Sequence, residues 1–428
     1  MDIATVGIVA LGFVAYVLVS GRLDGTPVTA PMLFIAFGFL IGAGGFGVAG
    51  LDTGHGAIHV IAEATLILVL FTDATRIKLA RLRRQHTLPV RMLAIGLPLV
   101  IALGTLTALG VFPELLFWEA ALLAAILAPT DAALGQAVVA DANVPVRIRQ
   151  ALNVESGLND GIALPAVLLF AALASMTGAA DHGDWLTFGL LQVTLGPVAG
   201  GAVGWLGARL LDIGIERGRV SEASQGIGIL ATAVLTFAAA ELIGGNGFIA
   251  AFVGGLVFGE TVRHECRFLY EFMETEGELL LLLTFLLFGA AMLPEALAHL
   301  NGAIVGYAVL SLTVVRMLPI ALSLLGSRVK PVTILFLGWF GPRGLASILF
   351  ALLIVEEAGL PAGDTILTVT VVTVGLSALL HGATAAPFAR RYAMLASRAG
   401  ECEESKPVPE MPLRTGMIEP AEPKATHR

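Results

Sequence analysis

The sequence predicts an all-α polytopic membrane protein with thirteen transmembrane helices, in two six-helix inverted repeats whose helices 5 and 12 are interrupted. Three observations lead there. Apolar residues make up 57% of the 428-residue chain and charged residues only 14%, against about 45–50% and about 25% in soluble domains. The apolar residues fall into runs near the roughly 20 residues that a membrane helix requires. The Lys and Arg residues collect on one side of those runs.

In chain order the predicted spans are 3–20, 28–48, 56–75, 88–111, 115–140, 148–177, 185–211, 223–242, 246–262, 275–295, 302–325, 331–355 and 364–390. The first has no basic stretch before it, so it reads as a span rather than a cleaved signal peptide. Of the 25 Lys and Arg residues, Arg316 and Arg343 alone lie deep inside spans, away from the ends. The others sit at connections on one side: Arg22; Arg76 to Arg91; Arg147 and Arg149; Arg209, Arg217 and Arg219; Arg263 and Arg267; Arg328 and Lys330; and Arg390 onward. The opposite connections (49–55, 112–114, 178–184, 243–245, 296–301, 356–363) hold none. Basic residues stay inside. The N-terminus is therefore expected outside and the C-terminus in the cytoplasm, in a plasma (inner) membrane. Residues 1–392 read as the membrane domain, with repeats over about 1–177 and 223–392 joined by span 185–211. Residues 393–428, rich in Pro, Glu, Lys and Thr, read as a short disordered tail. The net charge of −8 carries little information when charge location matters more, and no nucleic-acid partner is expected. Cys266 and Cys402 have no metal-ligand spacing and read as reduced cytoplasmic thiols.

Two spans break their own helices. Span 5, LLAAILAPTDAALGQAVVA, carries Pro129, Thr130 and Asp131 at mid-membrane depth, and span 12, TILFLGWFGPRGLASILFALL, carries Gly341, Pro342, Arg343 and Gly344. Proline removes a backbone donor and clashes with the preceding turn. Freed backbone at that depth is tolerated only where protein or a water-filled cavity covers it. Span 12 is fifth counting from span 8, so the breaks occupy matching places in two six-span units of opposite orientation. Such breaks point to a substrate site near the midplane. Two independent proline kinks are the plainer alternative. One break carries an acid and the other a base.

Charge inside a membrane is costly and needs a partner. Thr130 and Asp131 suit a cap on the following half-helix, and with freed carbonyls they also offer oxygen ligands to a small hard cation; the two roles are compatible. Span 6 holds NVESGLNDG, with Glu155, Ser156, Asn159 and Asp160. Ser156 and Asp160 stack one turn apart, as do Glu155 and Asn159. The two acids, five apart, face different partners: one to pair with Arg343, the other to exchange cation and proton. Asp73 is either a neighbour of that site or an interface charge beside Arg76. Arg316, deep in span 11, calls for a structural ion pair. Glu63 is open between an intrahelical partner and a site role, and His381 between packing and a proton relay.

APTDAALGQAVV at 128–139, NVESGLNDG at 153–161 and GWFGPRGLASILFALL at 338–353 together resemble the monovalent cation/proton antiporter family, most of all its prokaryotic sodium/proton branch, related to the animal sodium/proton exchangers. FTDATRIKL at 71–79, GFIAAFVGGLVFG at 247–259 and VVRMLP at 314–319 add to the likeness. It covers nearly all of residues 1–392 and lacks the long regulatory tail of the animal proteins. The resemblance implies a transporter rather than an enzyme, with helices 5 and 12 crossing, in a homodimer. It maps the ion and proton site to Thr130, Asp131, Ser156 and Asp160, with Asp73 nearby, and an ion pair to Glu155 and Arg343. The Asn159–Asp160 pair is the form associated with electroneutral one-for-one exchange. Ala74 departs from the family, where a glycine is frequent nearby, which weakens the place of Asp73.

The chemistry follows without the family. A carboxylate in a partly desolvated cavity keeps its proton to higher pH, where sodium competes for it. Asp160 takes either the proton or the cation, with Asp131, Thr130 and Ser156 completing the oxygen shell; sodium and protons are then substrates, and no cofactor is implied. A potassium-selective or non-selective antiporter is the nearest alternative. A cation channel, or an intramembrane protease using Asp131 and Asp160, stands further off.

Overall fold

In the computed structural model, which describes residues 3–23, 26–48, 55–78, 87–176, 183–263, 267–355, 358–397, 403–406 and 408, every regular element is helical. The helices are α1 (Ile3–Leu23), α2 (Ala30–Ile41), α3 (His55–Arg76), α4 (Thr87–Val111), α5 (Phe117–Ile126), α6 (Ala132–Val139), α7 (Val146–Met176), α8 (Gly183–Glu216), α9 (Glu222–Leu242), α10 (Gly247–Thr261), α11 (267–298), α12 (Gly302–Ser323), α13 (Pro331–Trp339), α14 (Leu345–Val355) and α15 (Gly363–Ser397). Eight segments are long and apolar enough to cross a membrane, and α2, α5, α10 and α14 are shorter apolar helices. Both spans with an expected break are interrupted where the sequence places it, whereas Pro165, Pro197, Pro319 and Pro387 sit inside continuous helices. Span 5 divides into α5 and α6, and span 12 into α13 and α14.

Burial explains where the broken helices lie. Glu119 to Ile126 of α5 and Leu345 to Val355 along α14 are buried on every side. A helix apolar all round belongs inside the bundle, and these two have surrendered their solvent or lipid face. Around them, small residues let backbones meet. A Cβ on Gly200 or Gly204 of α8 would overlap the carbonyls of Ala250 or Gly254 on α10. On the other face of α10, Gly255 and Gly259 lie against the carbonyls of Phe71 and Thr75 on α3. Lipid gives no hydrophobic drive between helices, so association depends on such close packing. Ala74 is fully buried, against the position a Cβ of Gly255 would take. The GFIAAFVGGLVFG segment is therefore a spacer with two contact faces, holding α3 beside α8.

The end of the chain differs from the expected disordered tail in two places. Helix α15 continues to Ser397, and residues 403–405 form a turn seated on the bundle. Arg147 pairs with Glu403 at 2.8 Å and also donates to its carbonyl at 2.8 Å. Glu404, 2% exposed, accepts from the Lys330 amide at 2.7 Å and from Thr333 Oγ1 at 2.8 Å. A carboxylate there complements the partial positive charge at the start of α13. Residues 409–428, Cys266 and Cys402 lie outside the described residues.

Candidate ion site at the crossed breaks

The two interruptions satisfy each other. The Asp131 amide donates to the Pro342 carbonyl at 2.8 Å, and the Leu345 amide donates to Asp131 Oδ2 at 2.7 Å. Asp131 thus sits at the N-terminus of α14, where unsatisfied amides and the helix dipole favour an anion. In return Arg343 Nη1 donates to the carbonyls of Ala128 at 2.6 Å and Pro129 at 3.1 Å, which the break after α5 leaves open. Ser347 Oγ donates to the Ile126 carbonyl at 2.7 Å. The acid of one break caps the second half of the other helix, and the base of that helix caps the first half of its partner. The sequence offers Thr130 and Asp131 as a cap on their own half-helix, as cation ligands, or both; the Leu345 contact adds a cap across the crossing. Gly344 is required by this geometry, because a Cβ would overlap Asp131 Oδ2.

The expected Glu155–Arg343 ion pair does not form. Glu155 is held by Arg316 in a two-point contact, Oε1 to Nη1 at 2.6 Å and Oε2 to Nη2 at 2.8 Å. Glu155 and Arg316 are 2% and 1% exposed, so each charge needs the other. Helix α12 brings Arg316 past Gly341, whose missing side chain leaves room for the guanidinium. Arg343 is engaged instead by the orphan carbonyls of the break. The prediction that Arg316 requires a partner is met, with the acid that had been given to Arg343.

Helix α7 carries the rest of NVESGLNDG past the crossing. Asn159 Nδ2 donates to Thr130 Oγ1 at 2.6 Å and lies 3.4 Å from the Thr130 carbonyl. Its Oδ1 is buried, with no hydrogen-bond partner among the described residues. Ser156 Oγ donates back to the Leu152 carbonyl at 2.7 Å, which leaves its lone pairs available. Asp160, next to Asn159, is half-buried, as are Gly157 and Asn153. These three fall at i, i+4 and i+7 on one face of α7, a row leading from Asp160 toward Arg147 and Arg149. A Cβ on Gly157 would touch Ile77 and approach the Asp73 carbonyl, so the end of α3 lies beside this row. Asp73 is half-buried there. Glu63 is ten residues earlier on α3, about 15 Å along the axis from Asp73.

Two hydroxyls, Ser347 and Ser377, were not legible as parts of the site, and His381 was open between packing and a proton relay. Ser377 Oγ accepts from the Arg343 amide at 2.7 Å and lies 3.1 Å from His381 Nδ1, while His381 Nε2 lies 3.0 Å from the Trp339 carbonyl. Ser377, His381 and Ser347 therefore serve the backbone groups that the broken helices free. A hydroxyl in an apolar helix gives no periodic signal; the i, i+4 spacing of Ser377 and His381 was the available clue.

At the end opposite the basic connections, a cavity of about 600 Å³ is lined by Glu114, Glu295, His299 and Asp364, with Leu352 toward the interior. Leu352 lies eight residues along α14 from Gly344, about 12 Å above the crossing. The intervening Ile348, Leu349, Phe350 and Ala351 are buried in the main apolar core.

The description "sodium/hydrogen exchanger, transmembrane" fits residues 8–391 of this chain. The K(+)/H(+) antiporter NhaP of Alkalimonas amylolytica is 27% identical over 396 residues, covering 91% of this chain and 66% of that protein. The K(+)/H(+) antiporter NhaP2 of Shewanella oneidensis is 24% identical, over 84% of this chain and 62% of that protein. The chain thus spans less than two thirds of the length of these relatives. The solved sodium proton antiporter MjNhaP1 of Methanocaldococcus jannaschii shares the fold, with a TM-score of 0.75 at 20% identity over 91% of this chain and 98% of that one. With its two proline-broken helices capping each other and NVESGLNDG alongside, the chain belongs to the sodium/hydrogen exchanger transmembrane family.

Proposed function

We propose that this protein is a secondary antiporter that exchanges a monovalent cation, sodium foremost, for protons by alternating access, one for one and without net charge movement. The observation that carries this reading is the meeting of Asp131, Thr130 and Asn159 at the crossed breaks, with Asp160 one residue further along α7. Asp160 is the group that binds either the proton or the cation. Thr130, Ser156, Asp131 and the buried Asn159 Oδ1 supply oxygens of the kind a hard monovalent cation takes, and Asp73 stands at the approach. Glu155 with Arg316, and Arg343 with the carbonyls that follow α5, hold the crossing rigid and carry no cargo. Binding one cation expels one proton from the same carboxylate, so the loaded forms carry equal charge.

The half-buried row Asn153, Gly157 and Asp160 supports access from the basic end, while buried apolar residues separate the crossing from the acidic cavity. The conformation is therefore read as open to the cytoplasm, with the N-terminus outside, the C-terminus inside and the protein in the plasma membrane. Thirteen spans, inverted repeats about 1–177 and 223–392, and a homodimer belong to the same reading. The names of the two NhaP relatives favour a second cargo, potassium, at the same site.

Purified protein in proteoliposomes decides between them. Dissipation of a pH gradient is followed on adding sodium, lithium or potassium separately, with and without an imposed potential. Exchange is expected with sodium, insensitive to potential, and lost in Asp160→Asn. Sodium-driven proton flux surviving in that variant would sink the assignment, and a response to potassium alone would replace the cargo.

A further inference from the structure

On the outer surface of the bundle, α13 and α15 enclose a groove of about 320 Å³ that the exchange reaction does not use. Its walls are built from aromatic rings. Phe336 stacks on Tyr392 at 4.1 Å between centroids, and Phe340 lies 4.7 Å from Phe336. Phe388 closes the inner end against Trp339 and Phe340. Leu335 and Leu395 on its rim are 60% and 43% exposed, facing outward. From Val332 to Trp339 the groove follows α13 for about 10 Å, about two thirds of one leaflet of a hydrocarbon core roughly 30 Å thick.

One charge lines this apolar groove. Arg391 is exposed, one turn from Leu395 on the same face of α15, and makes no hydrogen bond or ion pair among the described residues. The described carboxylates of the C-terminal segment are engaged elsewhere: Glu403 with Arg147 and Lys406, Glu404 with the Lys330 amide and Thr333. An arginine with no counter-charge among the described residues, beside an apolar slot that runs most of one leaflet and at the basic end of a membrane bundle, complements a lipid that carries a phosphate above an acyl chain. Arginine matches phosphate with a planar two-point fork.

We propose that this groove seats one anionic phospholipid, its acyl chain against Phe336, Trp339 and Phe388 and its phosphate on Arg391. Trp339 is the last residue of α13 before the break, and Met317, on the groove wall, follows the paired Arg316. The lipid therefore braces the first half of the interrupted helix from the membrane side. Assignment to the cytoplasmic leaflet rests on the orientation proposed above; the seat itself does not.

The test uses the full chain, delipidated in detergent, with dioleoyl phosphatidylglycerol or dioleoyl phosphatidylcholine added back. Thermal unfolding and native mass spectrometry are the readouts. Phosphatidylglycerol is expected to raise the unfolding temperature above the phosphatidylcholine value and to remain bound as a single adduct. Arg391→Gln removes that increment and weakens binding about fivefold, the worth of one basic residue near a lipid surface. Arg391→Lys retains part of it, and Arg219→Gln, on another basic connection, retains all of it. Leu335→Trp fills the groove and removes the adduct with Arg391 intact. An equal gain from phosphatidylglycerol in wild type and Arg391→Gln, or an equal loss in Arg219→Gln, overturns the proposal. Neither readout involves transport, so a failure here is separate from a failure of the exchange reading.

Discussion

Glu155 and Arg316 illustrate what a single buried contact demands. Two charges at 2.6 and 2.8 Å, almost wholly buried, repay their desolvation only through each other. Glu155→Gln leaves the guanidinium uncompensated and is expected to destabilise the protein by about 3–5 kcal/mol, whereas Glu155→Leu combined with Arg316→Met recovers most of the loss. Denaturation in detergent of the wild type and the two variants checks this, and equal stability of the single and double variants would contradict it. The need for a partner was legible in the sequence, because an arginine within an apolar span has no other way to exist there. Which acid answers was not. Arg316 and Glu155 are 161 positions apart, and their meeting depends on the path of α12 beside Gly341.

The interrupted helices are stabilised as a pair. Each break leaves carbonyls at one end and amides at the other, and the opposite charge of the partner break meets each set. Gly344→Ala places a methyl group in the position of Asp131 Oδ2. Overpacking of this kind costs about 1–3 kcal/mol, and it acts on the cap of α14. Exchange is expected to be lost while the protein still purifies as a folded species. Exchange at the wild-type rate in that variant would show that the cap is dispensable.

The docked turn at 403–405 is a second element whose state depends on charge. Hydrogen bonds from Lys406 and Arg147 hold the Glu403 carboxyl below its ordinary value. With the folded value depressed, the contact is complete above the ordinary carboxylate range and is lost as pH falls through the depressed value. Spin labels on Asn143→Cys and Val408→Cys, with Cys266 and Cys402 replaced by Ser, are expected to give one narrow distance at pH 7 and pH 5. Broadening should begin only below the ordinary carboxylate range, about pH 4. Release already at pH 6 would assign the contact to another group.

At the scale of the molecule, the two ends of the bundle differ in access and in charge. The row Asn153, Gly157 and Asp160 is half-buried toward the basic end, and the acidic cavity is closed off by the core around Leu349 and Phe350. In a protein with its two cysteines replaced, Asn153→Cys is expected to react with a membrane-impermeant maleimide in inside-out vesicles and not in right-side-out ones. Added sodium should slow that labelling as the loaded form occludes. Labelling from the outside alone would invert the orientation.

The sequence by itself determined the membrane class, the family and the places of the breaks. Apolar runs, one-sided basic residues, Pro129 and Pro342, and the carboxylates of NVESGLNDG each act through properties that need no neighbour: transfer to lipid, a missing amide, an ionisable oxygen. Only the tertiary structure decided which groups meet. Arg343 went to the carbonyls of Ala128 and Pro129, Glu155 to Arg316, Asp131 to the far half of the other broken helix, and Glu404 to the start of α13. The physical reason is reach. A membrane interior compels every charge and freed backbone group to find a partner within hydrogen-bonding distance, and helix packing alone sets which one lies that close.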